Sequence, residues 1–204
     1  MKHYEEMFET LFKIIANPRF LAMEGLGNEV PYFIHAYDIE DQETVYKKIE
    51  ALIKRLQIDG ISVAPLGLYD FVIDHFKGSG DLDDLFGLEP TVSKATLLDE
   101  MMKMLSPESV VVPEIIKRIE DASAKVAIIW QVGEVYPYIR AHEILTNLQS
   151  QLSDRPVIVF FPGEFITSYE EGFKLKLFGK LEARYYRAFK LEEYIIRGNI
   201  NAGA

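Results

Sequence analysis

The chain has 204 residues, of which 49% are hydrophobic and 12% aromatic, so it can bury the core of one domain. Cys is absent, which excludes disulfides, thiolate zinc sites and cysteine nucleophiles. The net charge of −10 argues against a general nucleic-acid binder, because such proteins neutralise phosphates with many Lys and Arg.

The charge is unevenly spread along the chain. Residues 1–138 carry a net charge of −11, and residues 139–204 carry +1. The acidic part fits a basic partner protein, whereas a charge of +1 gives little support for direct DNA binding by the carboxyl third. No apolar run is long enough to span a membrane and no secretory signal is seen, so we expect a cytoplasmic protein without a membrane partner.

The first part of the chain alternates helices and strands. An amphipathic helix is predicted at about 4–16, a strand at 30–37, a helix over 45–56 and a short strand at 61–64. The helix over 45–56 has the clearest pattern, with Val45, Ile49 and Leu52 on one face. A helical insert then follows at about 68–120, with short helices at 68–76, 82–86, 94–105 and 112–119.

The stretch from 126 to 163 is the most informative. A continuous apolar run at 126–130 predicts a strand buried on both faces, and Gln131 to Gly133 end it. Pro137 suits the first position of the following helix, and a second buried strand is predicted at 157–161, closed by Pro162 and Gly163. This is one right-handed crossover of a parallel sheet, so a site is expected beyond the strand ends, in the turn 131–140.

The rest of the chain is less clear. Residues 173–177 alternate like a strand but also suit a helix, 186–191 resemble a final strand, and 198–204 are expected to be a frayed tail. We therefore predict a single α/β domain over 1–204. Its parallel-type sheet of about five strands would have flanking helices, in P-loop-like or Rossmann-like layers without a Walker A motif.

Catalytic signatures are missing from this pattern. The glycines at 25–27 precede their strand, whereas a dinucleotide fingerprint follows one, and Gln131 stands where a hydrolase would place a carboxylate. Glu134 alone is weak support for a metal. We assign no catalytic residue, no metal and no cofactor.

Several polar residues are candidates for binding a partner or ligand. Arg140 and His142 near a helix start could hold a carboxylate or phosphate. In the structural alternative, Arg140 pairs with Glu134 or Glu143 and His142 fills a polar gap. Tyr186 and Arg187 could stack on bases or simply alternate between core and surface. The full set of candidates is Glu134, Tyr136, Arg140, His142, Asn147, Tyr186 and Arg187.

The amino-acid sequences of several segments resemble those of one family. Residues 133–142 (GEVYPYIRAH), 147–149 (NLQ) and 160–163 (FFPG) closely resemble the BrxB family of bacteriophage-exclusion (BREX) defence systems. Residues 25–31 (GLGNEVP), 177–179 (LFG) and 185–189 (YYRAF) agree in order, so the resemblance extends from about residue 20 to residue 191.

The resemblance implies a BREX defence component with partners among the BREX proteins, and together with the missing catalytic signatures it favours a noncatalytic module that docks them. The first expected partner is the alkaline-phosphatase-like PglZ, followed by the DNA methyltransferase and the large ATPase. The alternative is a nucleotide- or phosphate-binding enzyme or sensor that uses the turn at 131–142.

Overall fold

A computed structural model describes residues 2–24, 31–168, 172–184 and 188–194. The glycine-containing segment at 25–30 and the predicted tail at 198–204 lie outside the described residues, as do residues 186 and 187 of the predicted last strand.

The helices are α1 (Lys2–Ile15), α2 (Pro18–Leu21), α3 (Gln42–Ile58), α4 (Leu68–Ser79), α5 (Asp81–Leu88), α6 (Lys94–Met104), α7 (Val112–Asp121) and α8 (Ala141–Gln149). The strands are β1 (Tyr32–Tyr37), β2 (Val63–Gly67), β3 (Val126–Trp130), β4 (Val157–Ser168), β5 (Gly172–Leu177), β6 (Leu181–Arg184) and β7 (Phe189–Lys190). A short 3-10 turn precedes α3, and a π-helical turn precedes α7. In the described part of the chain, none of the helices has the length and apolar content that crossing a membrane requires.

Five strands form a parallel sheet in the order β2-β3-β4-β1-β7. Val157 at the start of β4 lies beside Tyr32 of β1 on one side and Ala127 of β3 on the other. Strands β5 and β6 extend β4 as an antiparallel hairpin. The predicted α/β class, with a mostly parallel sheet and flanking helices, is confirmed.

Helices cover both faces of the parallel sheet. Helices α1 and α3 pack on one face, against Phe33, Ile158 and Phe160. Helices α4, α7 and α8 pack on the other, against Ile34 and Val159. Because successive strand residues point to opposite faces and both faces are covered, β3 and β4 need the continuous apolar runs that predicted them.

The prediction that Pro162 and Gly163 close the fourth strand is wrong, because β4 continues to Ser168. Gly163 has φ +143°, and a Cβ placed there would lie 2.2 Å from the Lys176 carbonyl oxygen. Glycine therefore lets the strand bend away from β1 and begin pairing with β5, at Gly163 opposite Leu177.

Residues 173–177, which fit either a helix or a strand by sequence, form β5. Leu175 and Leu177 are buried, while the alternating Lys174 and Lys176 are half-buried. This alternation is the strand pattern, and pairing with both β4 and β6 stabilises it.

Gly163→Ala is expected to lower the free energy of unfolding by roughly 2 to 4 kcal/mol, because the methyl group meets backbone atoms and the φ angle is strained. Gly78→Ala is the matched control, since nothing lies within 4 Å of a Cβ at that helical position. It should leave stability unchanged or raise it by up to about 1 kcal/mol. Urea unfolding followed by circular dichroism measures both, and equal effects would contradict the role of Gly163.

Candidate functional site

The carboxyl edge of the sheet is the expected place for a site, and Gln131 occupies part of it. Gln131 follows β3 with φ +61°. Its side-chain oxygen accepts a hydrogen bond from the Asp70 amide at 3.2 Å, and its Nε2 donates to the Asp70 carboxylate at 3.1 Å. A Cβ on Gly67 would lie 2.4 Å from the same Gln131 oxygen. The side chain of Gln131 therefore fills the space at the start of α4 and satisfies one of its amides.

The prediction that a helix starts at Pro137 is wrong, because α8 begins at Ala141. The Tyr136–Pro137 peptide is cis, and residues 132–138 form consecutive turns. Burial explains why the turn extends to residue 140 before the helix begins. The conformation of the turn places Val132, Val135 and Ile139 in the core. Arg140 is then extended and caps α8 without a side-chain hydrogen bond.

Glu134 forms a hydrogen bond with a side chain of α3. The Tyr46 hydroxyl donates to Glu134 Oε1 at 2.5 Å, and the Tyr138 hydroxyl donates to the Glu134 carbonyl at 3.1 Å. Burial, and then the bond to Glu134, raise the pKa of Tyr46 well above its usual range, so the phenol stays protonated as a donor. Two oxygens, Glu134 Oε2 and the Tyr37 hydroxyl, are buried there without a hydrogen-bond partner among the described residues.

A pocket of about 300 Å³ lies between the start of α8 and the β5–β6 hairpin. Its apolar lining includes Phe161, Leu175 and Leu177, all of which are buried. Arg140, His142 and Lys180 also line it. We name this feature the α8–hairpin pocket.

The hairpin is held against the turn by a close aromatic contact. A Cβ on Gly133 would lie 2.8 Å from Cε1 of Phe178, so only glycine admits the ring at this distance. Phe178 also donates its backbone N–H to the Pro162 carbonyl at 2.9 Å. Lys180 follows two residues further on, and its backbone N–H donates to the Leu177 carbonyl at 3.0 Å.

The structure brings three of the seven candidates together, since Tyr136, Arg140 and His142 all line the α8–hairpin pocket. Glu134 contacts Tyr46, and Asn147 donates to the Glu143 carbonyl at 2.9 Å within α8. Tyr186 and Arg187 lie outside the described residues.

The ion pair considered for Arg140, with Glu134 or Glu143, does not form. Sequence reasoning missed Lys180 and the apolar lining. The only signal for Lys180 was its position directly after the family-like segment 177–179. Within the described ranges, no group of three His, Asp or Glu side chains could hold a metal ion.

Tyr46→Phe should lower the free energy of unfolding by about 1 to 2 kcal/mol, because it leaves a half-buried carboxylate without its donor. Tyr69→Phe removes an exposed hydroxyl from α4 and serves as the control, with no expected change. Chemical denaturation near neutral pH measures both variants. If Tyr46→Phe were as stable as the parent, the bond to Glu134 would contribute nothing to the fold.

Comparison with known proteins agrees with the resemblance seen in the sequence. A family model described as "BREX protein BrxB" matches residues 64–191. A BREX protein BrxB of Bacillus cereus (strain H3081.97) is 29% identical over 196 residues, covering 94% of this chain and 98% of the relative. One from Escherichia coli O9:H4 (strain HS) is 27% identical over 178 residues, covering 87% and 86%. No solved structure matches the fold. Because the family model covers more than half of the sequence, the chain belongs to the BrxB family.

Proposed function

We propose that the chain is a noncatalytic component of a BREX defence system that docks other BREX proteins. PglZ is the first proposed partner, followed by the DNA methyltransferase and the large ATPase. Membership of a family described as BREX protein BrxB supports the role in BREX defence. The docking role needs a surface that the fold itself does not use.

Helices α5 and α6 supply that surface, and this observation carries the proposal. Neither helix contains a buried residue. Residues 81–104, which we name the acidic arm, hold six acidic and two basic residues. Phe86 is 62% exposed there, a short distance along α5 from Asp83 and Asp84. A large exposed aromatic side chain beside carboxylates is typical of a site for a partner that offers apolar and basic groups.

The acidic arm is nevertheless anchored to the domain. One face of the arm packs on the core, through the half-buried side chains of Leu82, Leu85, Met101 and Met104. Ser93 caps α6 by accepting a hydrogen bond from the Thr96 amide at 3.1 Å. A firmly held surface costs less conformational entropy on binding than a mobile one, which favours docking.

The contacts at the carboxyl edge support the noncatalytic part of the proposal. Gln131 is engaged with Asp70, and Glu134 is engaged with Tyr46. Both polar side chains of the turn nearest the strand end therefore stabilise the fold. Gln131 and Glu134 are thus used for contacts within the fold rather than for binding a substrate.

Co-expression with each candidate partner, followed by a pull-down in moderate salt with nuclease present, tests the proposal. We expect a stoichiometric complex with PglZ. Phe86→Ser, and Asp83→Lys combined with Asp84→Lys, should each weaken it by at least about tenfold, because they remove the aromatic contact or reverse the charge.

Ile58→Ser is the matched control, since Ile58 is 83% exposed at the end of α3, a helix that packs on the opposite face of the sheet from the acidic arm. It should leave the complex intact. Retention of PglZ by both arm variants would exclude the acidic arm as the docking surface. Failure of the folded parent chain to retain any of the three BREX proteins would overturn the docking role itself.

A further inference from the structure

Beyond docking, we propose that the α8–hairpin pocket binds a small organic anion. The ligand would join a phosphate or carboxylate group to an apolar or aromatic body. Three features of the pocket carry the inference: its unpaired cationic side chains, its apolar lining and its size.

Arg140, His142 and Lys180 converge on the pocket from two separate elements. Within the part of the chain that the structure describes, none of these side chains has a hydrogen-bond or ion-pair partner. Some exposed cations elsewhere are paired, as Lys47 is with Glu43 at 2.6 Å and Arg55 with Glu9 at 2.5 Å, whereas the pocket brings its cations to one cavity without such partners among the described residues. Two permanent positive charges are thus left available around one cavity, and such groups bind oxyanions by charge-assisted hydrogen bonds.

The one acidic residue of the lining does not cancel this charge. Glu182 lies 3.0 Å from the Lys174 ammonium group, so its carboxylate already has a cationic partner outside the pocket's own cations. The whole chain carries a net charge of −10, but salt screens charges that lie more than about 10 Å away. The charged groups that line the pocket therefore dominate the electrostatic potential inside it. An anion is the favoured occupant.

The apolar lining selects the rest of the ligand. Phe161, Leu175 and Leu177 are 1%, 2% and 8% exposed, and Leu181 is 41% exposed. An apolar body would gain mainly by covering Leu181, since the other three side chains have little surface left to bury. Inorganic phosphate would satisfy the cations but could not use this surface.

The volume sets the scale of the ligand. About 300 Å³ lies at the small end of the range for ligand pockets, roughly 300 to 1,000 Å³. This suits a nucleoside monophosphate or an aromatic carboxylate. None of its lining residues belongs to the acidic arm, so the two surfaces are distinct.

Isothermal titration calorimetry at physiological salt tests the proposal with four probes. Adenosine monophosphate and benzoate represent the two anion chemistries, while inorganic phosphate and uncharged adenosine each lack one half of the ligand. We expect one organic anion to bind with a Kd below about 1 mM, and both incomplete probes to bind at least about tenfold more weakly.

Arg140→Ala and Lys180→Ala should each weaken binding of that anion by about tenfold, because each removes a charge-assisted contact. Lys54→Ala is the matched control, since it removes an exposed cation from α3 on the opposite face of the sheet. Leu181→Glu should abolish binding by placing a carboxylate on the pocket lining.

Three results would overturn the proposal. One is no heat of binding for either organic anion at concentrations up to about 10 mM. The Kd would then be too high for a specific ligand site. Another is adenosine binding as tightly as adenosine monophosphate, since the cations would then play no part. The third is equal weakening by Lys54→Ala and Arg140→Ala, which would indicate nonspecific attraction.

Discussion

Gly163 allows β4 to pair first within the parallel sheet and then with the antiparallel β5–β6 hairpin. Most of the structure depends on this change of pairing partner. Strand β4 pairs with β1 from Val157 to Pro162 and with β3 from Val157 to Val159, and it carries both apolar cores on its two faces. From Gly163 onward it pairs with β5 instead. The β5–β6 hairpin therefore continues the central strand, and the Phe178 ring packs closely on Gly133. Any residue with a Cβ at 163 would collide with the β5 backbone at this bend.

Much of the fold could be predicted because its signals are local. The runs 126–130 and 157–161 are apolar at every position since both faces are covered, and α3 shows a regular helical period. The course of β4 beyond Gly163 could not be predicted, since it is decided by pairing with a strand that itself fits two patterns. The delayed start of α8 likewise depends on where Val135 and Ile139 find core space, which no local pattern records.

The residues of the candidate site likewise fall into those that could be predicted from the sequence and those that could not. Tyr136, Arg140 and His142 fall within one short segment, so sequence reasoning could group them before their cavity was known. Lys180 comes from a hairpin some forty residues later, and Phe161 looks like any other residue of a buried strand. Glu134 was predicted to bind a partner or ligand, but it contacts Tyr46, which lies 88 residues before it in the chain. Pairings over such distances are set by the tertiary structure.

The strand order also has a consequence for how the chain is made. Strand β1 lies between β4 and β7, and both of these neighbours come much later in the sequence. The Tyr32 hydroxyl donates to the Leu152 carbonyl, 120 residues further on. At a synthesis rate of roughly 5 to 20 residues per second, β1 leaves the ribosome on the order of ten seconds before a partner strand exists. During that interval β1 has no strand partner, and pairing over so long a sequence separation is the kind that forms slowly and favours aggregation of incomplete chains.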